Sequence, residues 1–418
     1  MDAVLLQVCA TLYFIETHAT LTNMYYALYA YPWDLMDDSP ARWCHQFHDW
    51  QLNTLTMACS YHAGKFIRPH GKNSKVIFPE DGTVYFQASL SRYGLLKPKI
   101  NPLIQAHDVL RAYTEQNDIS VQAWLVLLHN SRLGLLHPDT TVCNAWGDRY
   151  VYSLCPCHPA VHEYAIQLCV DIAEHYPVIG LTLETPGFLP FEHGYHHEFS
   201  QIALNSWLKA LLALCFCSYC LAGLQQQGIP ARWLQQAIRK RVDQHWCEEG
   251  ILNHEKKPDA FMMDSQLQTA LGAMRQWRCQ QVSTLLNEIR AHVRRECAIS
   301  VIPTVQPPHS NADLEGSDIR VLATMVDFIE CPFYHSSVEH VVNDAKDVIQ
   351  RVGYPRKVRA ILRPGLPDMT SAQQVVDTVL ALRRLGIRDF SFYNLGLLPY
   401  HHLTWIADAL TQLRQEMS

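Results

Sequence analysis

Charge is sparse in this chain. Only 18% of its 418 residues are Asp, Glu, Lys or Arg, against roughly 25% in an average soluble domain, and 34 basic residues face 40 acidic ones. The longest basic cluster, Arg239-Lys240-Arg241, lies in a helical pattern and reads as a solvated face, so no nucleic acid partner is expected. Long apolar runs are missing as well. Trp207 to Leu224 is broken by Lys209 and Ser218, short of the ~18 apolar residues of a membrane span. The apolar stretch from Ala3 to Ile15 has no preceding Lys or Arg and no small-residue cleavage site, unlike a signal peptide. A soluble, cytoplasmic protein with no membrane partner is the expectation. No Gly-x-Gly-x-x-Gly follows the first strand-like run, no phosphate loop occurs, and no serine sits in Gly-x-Ser-x-Gly. Nucleotide cofactors and the esterase elbow therefore lose their support.

What the chain does have is 48% hydrophobic residues, cut into short β-branched or aromatic runs that alternate with helical patterns. Eight runs read as strands: Met24 to Tyr31, Thr54 to Ser60, Ser120 to Leu128, Gly180 to Glu184, Ala298 to Thr304, Ile319 to Phe328, Val358 to Arg363 and Asp389 to Tyr393. Helical patterns fill gaps between them at Pro40 to Leu52, Pro159 to His175, Val338 to Arg351 and Ser371 to Leu385. This alternation predicts an α/β fold, a (β/α)8 TIM barrel rather than an open sheet. Residues 24–418 form the barrel, and residues 1–23 are an N-terminal extension. Long insertions follow strand 2 (Gly64 to Pro102) and strand 4 (residues 185–295, mainly helical, with Phe199 to Leu224 read as one buried helix). Fourteen cysteines, several in apolar patterns (Cys59, Cys169, Cys297), suit buried thiols in a reducing compartment better than a disulfide framework.

Glu184 closes the apolar run Gly180-Leu181-Thr182-Leu183, which puts a carboxyl at the barrel mouth, where such folds carry their active sites. Cleaving a glycosidic bond takes two carboxyl groups, one to protonate the leaving oxygen and one to attack or to activate water. Asp327, ending Val321 to Val326, is the expected partner, with Glu330 and then Asp368 as substitutes. The other strand ends gather groups that suit a sugar: Tyr31, Trp33 and Asp34; Tyr61, His62 and Lys65; His129 and Asn130; Arg363; Tyr393 and Asn394. Aromatic faces stack on pyranose rings, and the polar groups satisfy hydroxyls. Glu192 and His193 join them, so a carbohydrate or other polyhydroxylated substrate is expected, with no cofactor required.

Two clusters keep metal readings open. Glu192-His193-Gly194-Tyr195-His196-His197-Glu198 could supply ligands from His193, His196 and His197 beside Glu184, giving a metal-dependent hydrolase or lyase, but it lacks the His-Glu-x-x-His spacing. Cys215, Cys217 and Cys220 form Cys-x-Cys-x-x-Cys without a fourth ligand nearby; Cys155, Cys157 and Cys247 are distant donors, and core packing is the competing account. A non-catalytic carbohydrate-binding or biosynthetic barrel is the remaining alternative.

Several motifs occur together: Leu28-Tyr29-Ala30-Tyr31-Pro32-Trp33-Asp34, Ser60-Tyr61-His62-Ala63-Gly64-Lys65-Phe66, Phe78-Pro79-Glu80-Asp81-Gly82, Asn144-Ala145-Trp146-Gly147-Asp148-Arg149-Tyr150, Phe191-Glu192-His193-Gly194 and Cys215-Phe216-Cys217-Ser218-Tyr219-Cys220. In these the chain resembles bacterial glycoside-hydrolase-like (β/α)8 barrel proteins, from about residue 24 onward. The resemblance implies the barrel and, by analogy of fold, glycosidase chemistry. Some barrel glycosidases carry their carboxyl pair on strands four and six with the fourth-strand acid as nucleophile, which implies that role for Glu184. Remoter members carry Asp at that position and a Cys-x-Cys-x-x-Cys further on. Where common retaining barrels end strand seven in Glu, this chain has Arg363-Pro364, which points to an acidic sugar.

Overall fold

In a computed structural model, residues 24–194, 204–249 and 265–416 are described. The expected extension, residues 1–23, lies outside them. Eight parallel strands form the barrel: β1 Tyr26–Ala30, β2 Thr54–Tyr61, β3 Ser120–Val126, β4 Gly180–Glu184, β5 Ala298–Val301, β6 Phe328–Pro332, β7 Val358–Leu362 and β8 Asp389–Phe392. Each pairs with its sequence neighbour, and β1 also pairs with β8 through Tyr26↔Phe390 and Leu28↔Phe392, which closes the ring. Closure leaves no barrel edge to satisfy. Outside run α1 (Pro40–Asp49), α2 (Val109–Thr114), α3 (Pro159–His175), α4 (Ser265–His292), α5 (Ile319–Met325), α6 (Val338–Val352), α7 (Ala372–Arg384) and α8 (His402–Gln415). The TIM-barrel fold expected from the alternation is the fold observed.

The sixth strand is a correction. Ile319 to Met325 is helical, and Asp318 caps it by accepting from the backbone N–H of Arg320 (3.0 Å) and Val321 (3.4 Å). The strand begins only at Phe328. Among the described residues, the single helix expected over Phe199 to Leu224 is two helices, Ser206–Leu212 and Ser218–Gln226, with a turn that carries Cys215 and Cys217 between them. A third helix, Ala231–Gln244, precedes α4, and α4 packs on α3 outside the barrel.

Polar side chains fill the barrel in layers. Near its base, the Arg359 guanidinium lies 3.7 Å from the centre of the Tyr25 ring and 3.6 Å from that of Phe328, and donates to Ser300 Oγ (2.8 Å). At mid-height Glu330 is fully buried and accepts from Tyr29 Oη (2.8 Å), Ser391 Oγ (2.9 Å) and Thr182 Oγ1 (3.1 Å). Three donors from β1, β8 and β4 thus meet one carboxyl group, which meets the requirement that a buried polar group be hydrogen-bonded. The upper layer is aromatic, and it is the floor of the mouth.

Candidate active site

Glu184 is the last residue of β4, and Trp124 Nε1 on neighbouring β3 donates to its Oε2 at 2.6 Å. Burial pushes the carboxyl up to about 7, against the opposing effect of the Trp124 hydrogen bond. No ion pair to Glu184 occurs among the described residues. The next residue, Thr185, is buried and has φ 51°, a left-handed conformation strained for a β-branched residue and seen mainly where function holds it. Its carbonyl and that of Glu184 accept from Leu128 and Leu127 N–H (3.2 and 3.0 Å), so the hydrogen bonds of β3's exit fix the turn that aims the acid.

Around Trp124 stand Tyr29, Tyr61, Tyr31 and Tyr393, with ring centres 5.0, 5.0, 5.6 and 6.0 Å away. Tyr31 Oη shares hydrogen bonds with Tyr61 Oη (3.0 Å) and Tyr393 Oη (2.7 Å), tying the ends of β1, β2 and β8 together. Burial raises all three phenols, so they are neutral hydrogen-bonding groups. Tyr334, after β6, lies under the Arg363 guanidinium at 4.4 Å from its ring centre. Arg363 in turn donates from Nε to Asp368 at 2.6 Å. That pairing offsets part of the Arg363 charge, on which the expectation of an acidic sugar rests.

A second carboxyl belongs to Glu315, which ends a 3-10 turn (His309–Glu315) in the segment after β5. Burial raises it to about 8; hydrogen bonds from Thr304 Oγ1 and the Val305 backbone oppose that, and the charge of Glu184 adds to it. Glu315 and Thr304 line a cavity of about 210 Å³ together with Gln306, Glu192 and Lys209. No strand-end pattern marks Glu315 in the sequence; the fold brings it within electrostatic reach of Glu184.

Asp327 is not at the mouth. It precedes β6, accepts from Ile299 N–H at 2.8 Å near the start of β5, and pairs with Arg290 of α4 at 3.2 Å. Ile299 is in register with Leu181, three residues below Glu184, or roughly 10 Å of strand rise. The misread strand is the cause. Glu330 points into the closed interior, and Asp368 is held by Arg363.

Other strand-end residues divide between site and scaffold. Tyr61, Tyr393, His62, His129 and His193 come together at the mouth. Trp33 is buried, stacked on Tyr31 at 4.6 Å, and Asp34 is spent on Arg68, whose Nε donates to it at 2.5 Å. Asn130 caps the helix Ser131–Leu136 by accepting from Leu133 N–H (2.8 Å), and Asn394 accepts from Gly396 N–H (3.0 Å) in the turn after β8. Glu192 pairs with Lys209, and Lys65 is exposed. All of these but Lys65 have a structural use that strand position alone does not show.

One ring nitrogen from each of His62, His129 and His193 falls within 4.8 Å of the others. Burial pushes all three down, His193 to about 4, so they are neutral. His129 Nδ1 and His193 Nε2 have no hydrogen-bond partner among the described residues. The rings of His62 and His129 stack at 4.2 Å and 18°, which sends their in-plane lone pairs along parallel planes instead of toward one ion. The trio suits substrate hydroxyls better than a metal. His196 and His197 lie outside the described residues.

Fold and site together define a (β/α)8 barrel with an acid at the C-terminal mouth. Solved structures that share this fold include the glycoside hydrolase domain of PgaB (BpsB) from Bordetella bronchiseptica, at 14% identity over 93% of this chain and 99% of that one, TM-score 0.59. The catalytic domain of a β-amylase from Paenibacillus polymyxa is similar at 11% identity over 93% and 98%, TM-score 0.51. An α-L-fucosidase isoenzyme from Paenibacillus thiaminolyticus is similar at 12% identity over 94% and 49%, TM-score 0.51. No family model and no curated protein matches at the level of sequence. At these identities the likeness is one of fold.

Proposed function

We propose that the chain is a glycoside hydrolase in which Glu184 is the acid that protonates the glycosidic oxygen. The observation that carries this reading is the Glu184 setting: a carboxyl on β4 at the mouth, held by one Trp124 N–H, raised to about 7 and ringed by tyrosines. A general acid must be protonated near neutral pH, and the raised proton affinity of Glu184 supports that role. Glu315 is the proposed second carboxyl, replacing Asp327 in that role. Its burial keeps it protonated in the resting protein, so it would serve as base or nucleophile only after losing that proton as substrate enters. Tyr61, Tyr393 and the neutral imidazoles of His62, His129 and His193 are proposed to hold sugar hydroxyls. The resemblance of the strand-end motifs to bacterial glycoside-hydrolase-like barrels points the same way.

The test is release of reducing ends or aryl leaving groups from a panel of oligosaccharides and aryl glycosides, amino sugars included, by the wild type and by Glu184→Gln. Turnover on one substrate class that falls by about 10³-fold or more in the variant, with unfolding still cooperative, supports the assignment. Equal turnover in the variant sinks it. Binding of a sugar by both proteins with turnover by neither would make the barrel a carbohydrate-binding protein.

A further inference from the structure

Away from Glu184, four cysteines meet at one point. Cys155 follows the hairpin strand Arg149–Leu154, while Cys215, Cys217 and Cys220 run through the turn into the helix Ser218–Gln226, sixty residues later in sequence. All four are buried free thiols, and their sulfurs lie within 4.8 Å of one another. From Cys155 Sγ the distances are 3.5 Å to Cys220, 3.7 Å to Cys217 and 3.8 Å to Cys215. A tetrahedral Zn(Cys)4 centre with Zn–S near 2.3 Å has sulfur–sulfur edges of about 3.8 Å. The three spacings from Cys155, 3.5 to 3.8 Å, match such edges, and the remaining pairs lie within 4.8 Å. We propose that Cys155, Cys215, Cys217 and Cys220 hold a structural zinc ion that ties the segment after β4 to the hairpin after β3.

Three further features fit a thiolate cluster better than a packed knot of neutral thiols. The backbone N–H of Cys143 points at Cys215 Sγ (3.4 Å), and such donors stabilise sulfur that carries charge. Arg278 of α4 is almost fully buried, its Nε and Nη2 make no hydrogen bond among the described residues, and Cys215 and Cys220 are within electrostatic reach. The guanidinium rests 4.1 Å from the centre of the Phe188 ring but has no ion pair among the described residues; a buried cation is costly, and a zinc tetrathiolate carries two negative charges that would offset it. Cys217 occupies the N-cap of its helix and Cys220 the first turn, where the helix dipole also favours anionic sulfur. Cys157 lies beside the four but is not one of the converging set.

The site is tested on the full chain, purified without added metal, by elemental analysis and by replacing the ion with Co²⁺. The expected results are about one zinc per chain and, after exchange, the thiolate-to-cobalt charge-transfer and red d–d absorption of a tetrahedral sulfur site. Cys217→Ser is expected to lower metal content at least tenfold, while Cys157→Ser and His129→Ala keep it. Should the cysteine variant fail to fold, the cobalt spectrum of the wild type decides alone. Chain free of metal with no tetrahedral cobalt bands, a disulfide among the four cysteines, or metal lost from His129→Ala but kept in Cys217→Ser would each overturn the proposal.

Discussion

Glu184 keeps its proton in the folded state to about pH 7, whereas its ordinary value is 4.5. Between those values the unfolded chain releases a proton that the native state retains, so stability falls as pH rises through that window. Glu184→Gln is therefore expected to raise the melting temperature at pH 8 and leave it unchanged near pH 4, while abolishing turnover; thermal scans at the two pH values check this. A residue that weakens the fold it serves is the usual signature of a working site. For the wild type, activity requiring the protonated acid should decline as pH climbs past about 7. Trp124→Phe removes the N–H that favours the carboxylate, so the alkaline limb of the pH–rate profile should move to higher pH. An unmoved limb would show that Trp124 does not set the proton affinity of Glu184.

Elements decide which of these residues meet. β4 is as the alternation predicts it, Gly180 to Glu184, because a short β-branched and leucine run between a helix end and a long insertion has no competing reading. The run Ile319 to Met325 had two. Seven apolar-rich residues suit a strand or a helix by periodicity alone, and the deciding signal was Asp318, a cap residue just before the run. Reading the cap would have moved strand six to Phe328–Pro332 and taken Asp327 out of the mouth. In its real position Asp327 joins the foot of β5 to α4, so Asp327→Ala should cost about 1 kcal/mol of stability without touching turnover. Chemical denaturation and kinetics on one preparation separate these effects. Glu315 was out of reach for another reason: it sits in a 3-10 turn, and no local pattern encodes its approach to Glu184; Cys155, sixty residues from its cysteine partners, could be read only as one of three distant donors, because spacing alone does not rank them. Glu330→Ala would leave the hydroxyls of Tyr29, Ser391 and Thr182 without their common acceptor, an expected loss of about 3 kcal/mol by urea titration.

At the scale of the whole molecule, the barrel holds because its two ends are sewn together. Removing residues 389–416 takes away β8 and α8 and leaves β1 with one neighbour; the expected outcome is loss of the single cooperative unfolding transition, read by circular dichroism. Barrel closure also sets a timetable. Tyr26 and Phe390 are partners in the finished sheet, yet they leave the ribosome roughly 20–70 s apart at ordinary rates of synthesis. Throughout that interval the first strand has one open side, rich in tyrosine and backbone donors, and any other nascent chain can compete for it. The strand made first is completed last, so the yield of this protein in a cell is governed by how well one edge is sheltered while the rest of the ring is still being made.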